Sequence, residues 1–171
     1  MHFVPQSKAD RWTTRQASPR EFVVHDGNIM LIDPSHPVVA LCVAGMEVDG
    51  TPEAALELFM KAWDARTDDY DASIAAHFVA RHQPNVAARL HWNRTAVMHA
   101  IKAGEAERAS LMASLYLNLA DSLLENDLVH EAREAVDEAA SWLPGAGSGG
   151  YGQFVARGIK RFEQRLTVLG A

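Results

Sequence analysis

Residues 114–144 read SLYLNLADSLLENDLVHEAREAVDEAASWLP. Leu115, Leu119, Ala120 and Leu123 recur at three- and four-residue steps, which places them on one helical face. Asn126-Asp127 breaks that period, because Asn and Asp favour turns over helix interiors. A second period runs through Val129, Ala132, Val136 and Ala139 and stops at Pro144, whose preceding residue is biased out of the α region. The stretch therefore predicts two antiparallel helices joined by a tight turn. The alanines at 120, 132 and 139 let the two axes approach, and a larger side chain at Ala132 would be felt across a close-packed crossing.

This spacing of small and large residues resembles the tetratricopeptide repeat, a helix pair of about 34 residues. Tyr116 takes the first aromatic position of that motif, Leu119-Ala120 its Leu-Gly pair and Leu123 its Tyr. Ala132, Val136 and Ala139 take the Ala, the large residue and the second Ala of the second helix, and Pro144 the terminal Pro. Ala for Gly, Leu for Tyr and Val for Phe are departures that keep the small or large character of each position. The resemblance implies an all-α solenoid of helix pairs, of the kind found in short bacterial repeat proteins. Its usual role is to hold a peptide or another protein in a concave groove.

Two earlier stretches look like degenerate copies. In residues 36–67, Cys42, Val43 and Met46 stand at first-helix positions, and Ala55, Phe59 and Ala62 repeat the small-large-small spacing of a second helix. Thr51 is a good N-cap there, with Pro52 at the first helical position and Glu53 at the positive end of the dipole. In residues 69–103, Asp68-Asp69 can cap a helix from Tyr70 to about His82, Gln83-Pro84 marks a corner, and a second helix runs from Asn85 to about Lys102. Ala76, Ala88 and Trp92 keep the family spacing, while Thr95 stands where an alanine is expected. The third unit, 113–144, starts late, which predicts one overlong helix from about Glu105 to Glu125.

Residues 1–35 form an N-terminal arm. Within residues 21–33 two apolar, β-branched runs flank His25-Asp26-Gly27-Asn28, a hairpin signal; an extended arm is the alternative. After Pro144 a flexible loop, GAGSGGYG, leads into a last helix over about 151–169. Its apolar stripe is Phe154, Val155, Gly158, Ile159, Phe162, Leu166 and Leu169, with Arg157, Arg161 and Arg165 on a solvated face. It reads as a capping helix over the last unit.

At 171 residues the chain can build one domain with a real core. A net charge of −6 argues against nucleic acid as the main partner, since phosphate binding wants a clustered basic surface. Cys42 is the single cysteine, which excludes a disulfide framework within the chain and makes a cytoplasmic protein the expectation. There is no apolar run of membrane-spanning length and no signal-peptide pattern after Met1.

Gly145, Gly147 and Gly150 spell GxGxxG, but a dinucleotide fingerprint needs a strand before the glycines, and here a helix precedes them. The stretch AAHFVARHQ at 75–83 resembles one in short bacterial repeat proteins that sometimes carry a methyltransferase label; without an α/β cofactor domain that activity is disfavoured. His130-Glu131 with Glu134 resembles half of a zinc helix but lacks the second histidine, and reads as a polar helix face. His77, His82, His91 and His99 lie on consecutive predicted helices, and metal binding would need three or four of them to converge. Cys42 sits in an apolar run and reads as core. Trp63, Trp92 and Trp142 each fall on a second helix, where inter-helix packing is their expected role. No catalytic residues, metal site or cofactor are assigned, and the chain is not expected to be an enzyme.

In the family the first helices line the groove. That register assigns Tyr70, Ser73, His77, Ala80 and Arg81 to the groove from the second unit, and Ser114, Leu117, Asp121, Leu124 and Glu125 from the third. Arg81 could clamp a ligand carboxylate, or pair internally with Asp121 or Glu125. The expected function is an adaptor that holds a protein or peptide. The alternative is a sensor whose closed pocket around Arg81 takes a small acidic metabolite or signalling peptide. Three units are few, which leaves room for a homodimer through the first or last helix.

Overall fold

Backbone punctuation sets most of the helix ends in the computed structural model, which describes residues 22–25, 28–31, 35–48 and 50–170. Helix α1 (Pro37–Glu47) starts on its proline, and α2 (Pro52–Asp64) starts on Pro52 with Glu53 in its first turn. Thr51 stands at the N-cap of α2 but makes no side-chain cap hydrogen bond, so the proline's fixed φ starts this helix without the hydroxyl. Helix α3 (Asp69–Arg81) is capped by Asp68, whose carboxylate accepts from the Asp71 amide at 2.8 Å. Helix α4 (Val86–Lys102) is capped in the same way by Asn85, which accepts from the Ala88 amide at 2.8 Å.

The overlong helix expected over residues 105–125 is instead two, α5 (Glu105–Ala109) and α6 (Met112–Glu125). The cause lies elsewhere in the chain. A single 3₁₀ turn, Leu143–Ala146, is pressed so closely on α5 that a Cβ at Gly145 would stand 2.2 Å from the Ala109 carbonyl oxygen. Arg108 reaches back to donate to the Ile101 carbonyl at 2.8 Å, and its guanidinium lies over the Trp142 ring. The helix breaks between these contacts, and Leu111 opens a new ladder by accepting from the Leu115 amide. Asp127, at φ 60°, makes the left-handed turn from α6 into α7 (Val129–Trp142). Helix α8 (Gly150–Val168) follows the 3₁₀ turn.

The helices pack as adjacent pairs: α1 on α2, α3 on α4, α6 on α7. Successive pairs meet through α2 with α3 and α4 with α6, and α8 lies on α7 and α6. Residues of near-zero exposure line the crossings: Phe59, Ala55, Ala62, Ala75, Ala76, Ala113, Ala120, Ala132 and Ala139. Gly45 belongs with them, because a Cβ there would stand 2.2 Å from Cε1 of Phe59. Between the first and second pairs the contacts are largely between rings. Phe59 stacks on Phe78 and His82, and Trp63 meets Trp92 edge-on with centroids 5.0 Å apart. Between the second and third pairs polar contacts cross as well. Asn93 Nδ2 donates to the buried Ser122 hydroxyl at 2.7 Å, Asn126 Nδ2 donates to the Val86 carbonyl, and Arg89 Nη1 donates to both Glu125 oxygens at 2.6 and 2.7 Å.

Upstream, strands β1 (Phe22–His25) and β2 (Asn28–Leu31) pair antiparallel, Phe22 opposite Leu31, and β2 lies near α8. The intervening Asp26-Gly27 and the arm before residue 22 lie outside the described residues. On α8, Val155, Ile159 and Leu166 are buried as an apolar stripe requires, whereas Phe154 and Leu169 are exposed. Arg157, Arg161 and Arg165 are all exposed, and Arg165 also donates to Asp121 of α6 at 3.0 Å. Among the described residues no helix is long and apolar enough to cross a membrane.

Candidate functional site

The second-unit groove candidates lie on α3, a helix buried on most of its faces. Ser73 and Ala80 are inaccessible, and the Ser73 hydroxyl donates to the Tyr70 carbonyl at 2.8 Å. Tyr70 is half-buried against the core. His77 packs its ring edge on Phe78, and its Nδ1 is buried with no hydrogen-bond partner among the described residues. Burial, and then the positive charge of Arg81 one turn on, push the imidazole down to about 4, so it is neutral at pH 7. Arg81 is exposed in the last turn of α3, where a cation suits the helix dipole.

The third-unit candidates are already engaged by the chain itself. The Tyr151 hydroxyl donates to Ser114 Oγ at 2.7 Å, Gly158 of α8 lies over Leu117, and Arg165 holds Asp121. A Cβ at Gly158 would come within 2.8 Å of Leu117 Cδ1, so α8 rests directly on this face of α6. Glu125 is held by Arg89 of α4, and Leu124 is half-buried. Both carboxylates considered as internal partners of Arg81 thus have other arginines. The structure brings Ser114, Leu117 and Asp121 together beneath α8, which leaves this part of the expected groove closed.

An open cleft of about 610 Å³ lies elsewhere, between α4, α6 and α7. Its apolar floor is Tyr116, Leu119, Leu123 and Ala135, and its α7 wall carries Glu131, Glu134, Asp137 and Glu138. Arg94 is the one cation among the lining residues, and it is committed to Glu131 at 2.6 Å. Burial and the Glu138 charge both raise the Tyr116 phenol above its ordinary range. Four carboxylates against one guanidinium make the cleft a place for positive charge.

The register of its walls follows from the contacts. From Val86 to Asn93 along α4, the partners on α6 run backwards from Asn126 to Ser122 and Asn118, so those helices are antiparallel. The tight turn at Asn126-Asp127 makes α6 and α7 antiparallel as well. Helices α4 and α7 therefore run parallel, with Arg94 beside Glu131. Met98 and Ile101, one and two turns beyond Arg94, are about half-exposed and continue its stripe past the cleft. The sequence signal for this site is the acidic spacing 131, 134, 138 on one helix, which alone marks no more than a polar face. Among the described residues no group of His, Cys, Asp and Glu is arranged to hold a metal ion. Compared with protein-family models, curated proteins and solved structures, the chain matches none of them.

Proposed function

We propose that this chain is a tetratricopeptide-like helical-repeat module, acting in the cytoplasm, that binds a protein or peptide segment. The observation that carries the reading is the succession of packed helix pairs with small residues at each crossing, which builds a rigid scaffold while leaving an open cleft on its surface. The α6 part of the concave face is covered by α8. Among the described residues the cleft of α4, α6 and α7 offers room for a ligand, and its charge suits a segment with cationic and apolar side chains.

The test is a selection of short random displayed peptides against the full chain. Enrichment of a shared sequence that binds as a synthetic peptide at micromolar concentration or tighter supports the module. Repeated rounds without enrichment would sink it. A second reading, a sensor of a small acidic ligand, draws on His77 Nδ1, which lies beside Arg81, is buried and has no hydrogen-bond partner among the described residues. Stabilisation of the wild type, but not of His77→Ala, by an acidic metabolite in a thermal-shift screen would favour it instead.

A further inference from the structure

The outer face of α8 carries the chemistry that the cleft lacks. Arg157 and Arg161 are exposed, one helical turn apart, and neither has an ion-pair partner among the described residues. Phe154, one turn before Arg157 on the same stripe, leaves 47% of its surface open. An aromatic ring followed at i+3 and i+7 by guanidinium groups is an amphipathic recognition stripe rather than a merely solvated face. The cleft presents the complement. Glu134 and Glu138 stand one turn apart on α7, about 6 Å along the axis, the same repeat as Arg157 and Arg161 on α8. Tyr116 on the floor and the exposed Met98 and Ile101 offer apolar surface for an incoming ring.

Within one molecule these surfaces belong to opposite sides of the third pair, because α8 lies over Ser114, Leu117 and Asp121 while the cleft opens over Tyr116, Leu119 and Leu123. A helix presents these two sets on different faces. The stripe of α8 therefore cannot reach its own cleft, but that of a second copy can.

We infer that a second copy of this chain docks the Phe154–Arg157–Arg161 stripe of its α8 in the acidic cleft of α4, α6 and α7, with the arginines on Glu134 and Glu138. The inference uses the cleft as a binding surface, as the module reading does, and gives it a first occupant. It also makes self-association a competitor of any cationic peptide ligand. The contact joins two different patches, so it closes either as two copies exchanging stripes about a two-fold axis or as a larger cyclic ring.

Sedimentation equilibrium of the full chain tests this with three proteins: wild type, E134R/E138R and R157E/R161E. Every substitution is at an exposed position, and circular dichroism and thermal melting check that each variant folds. The wild type should associate reversibly, more weakly as salt is raised. Each charge-reversed chain alone should weaken association at least tenfold, and an equimolar mixture of the two should recover it, because each reversed surface then meets its complement. A wild type that stays monomeric at every concentration, association untouched by either reversal, or a mixture that stays dissociated would each overturn the proposal. Peptides selected by a monomeric chain would leave the module reading standing without it. Recovered association with no selected peptide would do the reverse.

Discussion

Asn93 and Ser122 form a buried hydrogen bond of 2.7 Å at the centre of the joint between α4 and α6, each residue under 5% exposed. The same amide also reaches the Asn118 carbonyl at 3.3 Å. A buried acceptor that loses its donor, as Ser122 Oγ would without Asn93, bears its full desolvation cost. Asn93→Leu should therefore lower stability by about 1–3 kcal/mol in urea unfolding. Adding Ser122→Ala should return part of that loss, since the orphaned hydroxyl is then gone. A double variant as unstable as the sum of its parts would show that the pair is uncoupled.

Gly45 tests the α1–α2 crossing. Alanine is the better helix former by about 1 kcal/mol. Here its methyl would meet a Phe59 ring that is fully buried and stacked on both Phe78 and His82. Overpacking wins, and Gly45→Ala should cost roughly 1–3 kcal/mol despite the gain in propensity. Truncating the ring in Gly45→Ala/Phe59→Leu should cost less than the two single changes added together.

His77 gives the fold a pH dependence of definite sign. Its pKa falls from 6.5 in the unfolded chain to about 4 in the folded one, mainly through burial. Between those values the unfolded state binds the extra proton, so stability is complete above pH 6.5 and is lost as pH falls toward 4, by about 3 kcal/mol at most. Urea midpoints at pH 7.5 and pH 5 should differ for the wild type and differ less for His77→Asn. An equal pH dependence in the variant would assign the effect to other groups.

Cys42 is sealed in the α1 core, and burial, with a further push from the Asp71 carboxylate, raises its thiol to about 12. A thiol with so little thiolate should not react with a disulfide reagent at pH 8 while the chain is folded. It should react fully, one equivalent per chain, in denaturant. Fast labelling of the folded protein would mean that α1 opens readily.

What the sequence shows of this fold is what neighbouring residues decide. Pro37, Pro52, Asp68 and Asn85 start helices by local chemistry, and the periodic apolar residues mark the faces that bury, so the helices and their packed pairs are legible. The break at Ser110-Leu111 is not, because no proline or glycine stands there; it comes from Gly145 closing on Ala109 some thirty-five residues later. Arg165 is solvated as its spacing suggests, but its pairing with Asp121 of α6 is not legible from neighbouring residues. The cleft hides for the same reason. Glu131, Glu134 and Glu138 are an ordinary polar stripe until α4 is placed alongside α7 in the register that the Arg94–Glu131 contact reveals.

The two joints between helix pairs differ in charge. Rings that meet by stacking and edge contact, as Phe59, Phe78, Trp63 and Trp92 do, present no formal charge for salt to screen. Hydrogen bonds and ion pairs such as Asn93–Ser122 and Arg89–Glu125 hold one geometry and resist shear. Raised salt should therefore loosen the second joint through Arg89–Glu125 and leave the ring contacts of the first unchanged.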